Sequence, residues 1–167
     1  MLKYEFVQYD YSSINSHKDR REKEHTLAYS LLDKMLKGEG LLEYEILRTE
    51  NGKPYIEGNT LHFNISHTDG LVAVCISDSP VGIDCERVDP SFKSRIKDFS
   101  SRYFTENEIA LLEKCGYTPL SFFEIWTKKE AMIKRDGLNG SYLKKLDTTK
   151  QSFETVAFGE YIINIFK

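Results

Sequence analysis

Three groups of residues in this chain are of types, and at spacings, that do chemistry. Asp84 and Glu86 stand two apart in Val81-Gly82-Ile83-Asp84-Cys85-Glu86, a segment that reads as a strand. Side chains alternate along a strand, so both carboxylates face one side, while Ile83 and Cys85 face the other and suit a core. Like charges this close repel and need compensation. A hard divalent cation supplies it, and Mg²⁺ takes one or two carboxylates and completes its shell with water and phosphate oxygens. In Lys128-Lys129-Glu130-Ala131-Met132-Ile133-Lys134, Glu130 and Lys134 share one face of a helix. Glu before Lys at that spacing is also the commonest stabilising surface pair, worth only a few tenths of a kcal/mol. Asn64-Ile65-Ser66-His67 closes a strand before a glycine turn, where a polar Ser-His step beside free backbone N–H groups suits a phosphate. No GxSxG elbow accompanies it, so a Ser-His-Asp hydrolase has no support. GxxxxGK[ST] and GxGxxG loops are absent too, which argues against nucleoside triphosphate and dinucleotide folds.

The elements that must position these residues follow from hydrophobic period and turn signals. Residues 2–9 alternate apolar and polar, which predicts a strand. The charged run 17–24 leads into a helix carrying Leu27, Leu31, Leu32 and Met35 on one face and ended by Gly38 and Gly40. A short strand is expected over 42–48, and turn and loop over 49–59, which holds Asn51-Gly52, Pro54 and Gly58. LHFNISH and LVAVCIS, separated by Thr68-Asp69-Gly70, predict a hairpin. Residues 92–103 are weakly helical. Thr105 with Glu108 forms a capping box for a helix running to about Lys114. Residues 120–134 make the longest helix, broken by Asp136-Gly137, and the tail reads as one or two strands split by Gly159. The order of strand, helix and strands recurs after about residue 80. An α+β fold of two similar lobes, residues 1–80 and 81–167, is therefore expected.

Composition bounds the function. At 167 residues, with ten Phe, ten Tyr and one Trp, the chain can bury about 68–70% of its unfolded surface without a metal or disulfide staple. With 23 Lys and Arg against 26 Asp and Glu the net charge is −3, so general attraction to nucleic acid is not expected. Cys75, Cys85 and Cys115 are sparse and without a CxxC pattern, which fits a reduced, cytoplasmic setting. The N-terminus lacks the apolar stretch of a signal peptide, and no run approaches the roughly 18 apolar residues of a membrane span. A monomer without a membrane partner is the expectation.

Taken in order, Gly52-Lys53-Pro54, Phe63-Asn64-Ile65-Ser66-His67, Gly82-Ile83-Asp84-Cys85-Glu86 and Trp126-Thr127-Lys128-Lys129-Glu130-Ala131-Met132-Ile133-Lys134 resemble the 4′-phosphopantetheinyl transferases of the larger, pseudo-dimeric type. The resemblance covers most of residues 20–147. It implies a fold of two packed lobes with coenzyme A between them and Mg²⁺ as cofactor. It also implies transfer of the phosphopantetheine arm to a serine of an acyl or peptidyl carrier protein, with release of 3′,5′-ADP. Asp84, Glu86 and Glu130 would be the metal carboxylates, and Lys134 would reach the diphosphate. Ser66 and His67 would touch a phosphate or the adenine edge, and Lys53 and Pro54 would belong to the loop that closes on the nucleotide. The base that deprotonates the carrier serine stays open among Glu130, Glu108 and a metal-bound water. Lys128 or Lys129 would add positive potential, and the carrier would dock on residues 87–123.

The chain also departs from that pattern. The resemblance also makes Thr26 a coenzyme A contact, and the family often has Arg before that Thr of its first helix, to meet the 3′-phosphate, whereas His25 precedes Thr26 here. Arg20, Arg21 or Lys23 would have to substitute. The tail stops where the family usually has another turn and strand, so a pared-down or truncated second lobe lacking its last strand is expected. Two other functions fit parts of the pattern: a Mg²⁺-dependent phosphodiesterase using the three carboxylates, and a module that binds coenzyme A or a carrier without turnover.

Overall fold

The computed structural model describes residues 1–12, 14 and 16–167. The described elements run β1 (Leu2–Gln8), α1 (His17–Gly38), β2 (Ile46–Arg48), β3 (Pro54–Ile56), β4 (His62–Thr68), β5 (Leu71–Ser77) and β6 (Gly82–Arg87). After a short 3₁₀ turn come α2 (Ile96–Tyr103), α3 (Glu106–Lys114) and α4 (Pro119–Asp136). Two more 3₁₀ turns lead to β7 (Glu154–Phe158) and β8 (Tyr161–Phe166). The architecture is α+β, with every described strand pair antiparallel.

Two three-stranded sheets have the order β1-β5-β4 and β6-β8-β7. In each, the last strand of a hairpin lies in the middle. Each described sheet has three strands, and YIINIF, paired with β6 along its full length, takes the central place that LVAVCIS holds in the first sheet. The loop expected over 49–59 is corrected, because Pro54–Ile56 pairs with Ile46–Arg48 to make a small two-stranded ribbon. Three residues are too few for a period to show in sequence.

The core explains why LVAVCIS alternates so poorly. All seven residues of β5 are buried. Val74 and Ile76 pack with Leu32, Leu36 and Phe63 beneath α1. Leu71, Ala73 and Cys75 pack from the opposite face against Ile83, Cys85, Tyr161, Ile163 and Ile165 of the second sheet. A strand covered on both faces has no polar side to show. Burial there pushes the Cys75 and Cys85 thiols up to about 12. These two are inert core residues, and all three cysteines are free.

The edges of the two sheets meet at β4 and β6. Asn64 Oδ1 accepts the Ile83 N–H at 2.9 Å, and Ser66 Oγ accepts the Cys85 N–H at 3.2 Å. Side chains thus satisfy the edge N–H groups that a neighbouring strand would otherwise take.

Helix α4 begins with a Thr118 cap and Pro119, and ends at Gly137 in the left-handed conformation, the stop expected of Asp136-Gly137. It crosses β6 at Gly82, where a Cβ would stand 1.9 Å from the Ala131 carbonyl oxygen and 2.5 Å from the Arg135 nitrogen. Both atoms are helix backbone and cannot swing aside. Gly82→Ala is expected to destabilise the protein by at least the ~1–3 kcal/mol typical of overpacking, and thermal unfolding of the variant measures it.

Candidate active site at the seam of the two sheets

Strand alternation on β6 and the register with β8 decide where the carboxylates lie. Ile83 and Cys85 enter the core between the sheets, so Asp84 and Glu86 face the other way, as the sequence implies. The face is not open. Asp84 is only 5% exposed, and α4 covers it.

Lys134 reaches Asp84 from the end of α4. Its Nζ donates to Asp84 Oδ1 at 2.7 Å and to Ser66 Oγ at 2.8 Å. Burial works against the lysine's charge, but the Asp84 carboxylate beside it outweighs that and leaves its pKa raised. The Glu130–Lys134 spacing is therefore more than a surface helix pair, because Lys134 bonds across the seam to β6. Asp84 Oδ2 is sealed from solvent with no hydrogen-bond partner among the described residues. Burial, and then repulsion from Asp84, push Glu86 up to about 7, and Thr68 Oγ1 donates to its Oε2 at 3.3 Å. Burial, followed by Asp84, also raises Glu130. The three carboxylates thus feel one another's charge.

A hard cation would meet that need. Among the described residues no three His, Cys, Asp or Glu side chains are gathered closely enough to hold a metal as they stand. The orphaned Asp84 oxygen, the strained charge on Glu86 and the all-oxygen donor set nonetheless fit Mg²⁺ with water and phosphate completing its shell.

On its other face, β4 borders a second feature. Ile65 and His67 line a cleft of about 450 Å³ together with Arg21, Glu24, His25, Ala28, Tyr29, Arg48 and Pro54. His25 lies against Tyr29 with ring centroids 4.4 Å apart. Two arginines and two histidines make this a natural place for phosphate groups. Pro54 and His67, both expected site residues, line this cleft. Arg48 and Glu24 are additions. Arg48 carries no signal in the sequence because its partner strand β3 reads as loop, and Glu24 carries none because it sits in the charged run 17–24 that leads into the apolar helical pattern.

Four expected site residues have other work. Ser66 is buried, and its hydroxyl donates to Asp84 at 2.9 Å while accepting from Cys85 N–H and Lys134, which leaves nothing for a phosphate. Thr26 is exposed and donates to the Glu22 carbonyl at 2.8 Å. Lys53 donates to the Arg135 carbonyl at the end of α4, where a cation complements the helix dipole. Glu108 is fully buried. Its Oε2 accepts the Thr105 N–H and Lys129 Nζ, and its Oε1 accepts the Thr148 N–H and hydroxyl. It closes the expected capping box and pins α4 through Lys129, so it is not placed to act as a base. Lys129 likewise turns inward, and Lys128 pairs with Glu124 at 2.5 Å.

Residues 80–161 match the model of the 4′-phosphopantetheinyl transferase superfamily. The chain is 42% identical over 98 residues to the 4′-phosphopantetheinyl transferase gsp of Aneurinibacillus migulanus, covering 58% of this chain and 39% of that protein. It is 35% identical over 89 residues to Sfp of Bacillus subtilis strain 168, covering 53% and 39%. With AcpT of Escherichia coli O157:H7 it shares 30% over 135 residues, 75% of this chain and 68% of that protein. The chain belongs to the 4′-phosphopantetheinyl transferase superfamily. Its match spans about two fifths of the length of the Aneurinibacillus and Bacillus relatives.

The seam makes a prediction in which stability and cation response move in opposite directions. Glu86→Gln removes a charge that Asp84 repels. Relief of about 1 kcal/mol would raise the melting temperature by about 2–4 °C for a chain of this size, while any rise brought by added Mg²⁺ is expected to shrink or vanish. Thermal melts with and without Mg²⁺ check both.

Proposed function

We propose that this chain transfers the 4′-phosphopantetheine arm of coenzyme A to a serine of an acyl or peptidyl carrier protein and releases 3′,5′-ADP. The observation that carries this reading is the Lys134–Asp84 pair joining α4 to β6, with Glu86 and Glu130 near enough to feel the Asp84 charge, within the segment matched by the superfamily. The two sheets of like strand order support division into lobes 1–80 and 81–167 as a pseudo-dimer, with β4 at their border.

In the reaction, the carrier serine oxygen forms a bond to the β-phosphorus of coenzyme A. The bond from that phosphorus to the bridging oxygen breaks, and the electron pair leaves with 3′,5′-ADP. Asp84, Glu86 and Glu130 would hold Mg²⁺, which when bound supplies positive charge against the diphosphate. Lys134, now paired with Asp84, is the cation set to meet charge that collects on the leaving phosphate. Of the two carboxylates considered, Glu108 is engaged by four donors, which favours Glu130 as the group that would take the serine proton. Arg21, His25, Arg48 and His67 would receive the nucleotide end, with His25 in place of the family's usual Arg. A cytoplasmic, monomeric enzyme fits this role, and no helix among the described residues is long and apolar enough to cross a membrane.

Intact mass of an apo carrier protein after incubation with coenzyme A and Mg²⁺ tests the reading. A gain equal to phosphopantetheine is expected, and no gain would overturn it. Lys134→Met keeps much of the side chain's volume and removes its charge. Turnover is expected to fall by on the order of a hundredfold, with coenzyme A affinity reduced less. Single-turnover rates and calorimetry on the same variant separate the two effects.

For the carrier, Lys93, Arg95 and Lys97 are exposed beside one another at the start of α2. Arg87 is held by Glu160, at 2.9 Å, and Arg102 by Asp98, at 3.0 Å. Lys93→Glu together with Lys97→Glu is expected to raise KM for an acidic carrier several-fold while leaving KM for coenzyme A unchanged. Steady-state kinetics with each substrate varied in turn reads the difference.

A further inference from the structure

Glu24 is an acid on α1 that the transfer chemistry leaves without a task, and it is 4% exposed. It is the one acid among the described residues that line the cleft. A carboxylate facing bound phosphate is repelled by it, and a buried one costs several kcal/mol unless donors meet its oxygens. Here one oxygen has a donor and the other lies beside an imidazole. Oε1 accepts the Tyr9 hydroxyl at 2.6 Å. Oε2 stands 3.1 Å from His67 Nδ1.

The two partners differ in a way that matters. Tyr9 is buried, and its own main chain is tied to the hairpin turn, its N–H donating to the Gly70 carbonyl at 2.9 Å. Burial and the bond to Glu24 push its hydroxyl pKa up, so it remains a proton donor. His67 follows Ser66 on β4 and points the opposite way, into the cleft, with half its side chain exposed. A free imidazole turns readily about its second side-chain torsion and carries its proton on either nitrogen. A carboxylate at one nitrogen settles both choices and leaves the other nitrogen for the ligand.

The geometry points to Glu24 as a positioning residue: held by Tyr9, its carboxylate takes the Nδ1–H of His67 and so presents Nε2 to a phosphate of the nucleotide in the cleft. The inference rests on the coenzyme A reading of that cleft. It also explains how an acid is tolerated in a cleft suited to phosphate: Tyr9 holds one of its oxygens and the His67 ring stands against the other. Neither Tyr9 nor Glu24 would touch the ligand, so their effect would pass through His67 alone.

A double-mutant cycle tests this, with 3′,5′-ADP as the probe and calorimetry as the readout. Glu24→Ala is expected to weaken binding about tenfold, the scale seen when a histidine loses its orienting partner. The loss should disappear in a His67→Ala background, where there is no ring left to orient. Glu24→Gln keeps an amide oxygen for Nδ1–H and an amide nitrogen for the Tyr9 oxygen, and should hold affinity within about threefold of the wild type. Equal losses with and without His67, or a Glu24→Gln variant as weak as Glu24→Ala, overturn the positioning role. A second measurement does not depend on ligand. Imidazole ¹⁵N spectra at about pH 8, above the ordinary histidine range, should place the His67 proton on Nδ1 in the wild type and shift it toward Nε2 in Glu24→Ala. A wild-type proton on Nε2 overturns the inference outright. If wild-type protein shows the Nδ1 proton yet binds no 3′,5′-ADP, the coenzyme A reading of the cleft falls, and with it the role given to Nε2.

Discussion

Two backbone N–H groups at the edge of the second sheet, those of Ile83 and Cys85, are the constraint on which much else turns. They are buried where the sheets meet, and a buried donor without a partner costs on the order of a hydrogen bond's desolvation. Asn64 and Ser66 accept them from alternate positions on β4. Because Ser66 also bonds Asp84 and Lys134, the contact that closes the two sheets together is the one that orders the charged site. Packing and chemistry share atoms here, so the seam cannot loosen without disturbing Asp84.

Helix α4 is held in the register this requires by contacts of different kinds. Gly82 lets its backbone approach β6 closely. Lys129, fully buried, is tied to Glu108 and to the Leu146 carbonyl. Its desolvation is offset by this pairing, in which all Glu108 lone pairs find donors. Asn164 of β8 donates to Thr127 at 2.6 Å. With the helix fixed on that side, Lys134 projects to Asp84. Three lysines within seven residues thus have three settings: a surface pair for Lys128, a structural pin for Lys129 and the seam for Lys134.

Strand β4 divides the work by alternation. Asn64, Ser66 and Thr68 bond toward β6, whereas Ile65 and His67 line the basic cleft. Adjacent residues of one short motif therefore serve different neighbourhoods. This places the basic cleft next to the buried carboxylates of the seam, with a single strand between them. Tyr9, Glu24 and the β2–β3 ribbon then shape the cleft from the first sheet's side.

Features set by local periodicity and short-range chemistry are legible in the chain before it folds. The common face of Asp84 and Glu86 follows from strand alternation. The capping box of Thr105 and Glu108 is a contact three residues long, and the α4 stop at Gly137 needs only a residue tolerant of the left-handed conformation. The ordered motifs carried the family for the same reason, since each is a contiguous run. Which polar residues are free to act depends on folding. Ser66, Lys53 and Glu108 have the side chains a site would want, but partners 18 to 82 residues away in sequence have taken them. Glu24 hides in a charged helical run until folding sets it against Tyr9 and His67. Hydrogen-bonding capacity is finite, and the partners that use it up are brought near by packing of the whole chain, not by spacing along it.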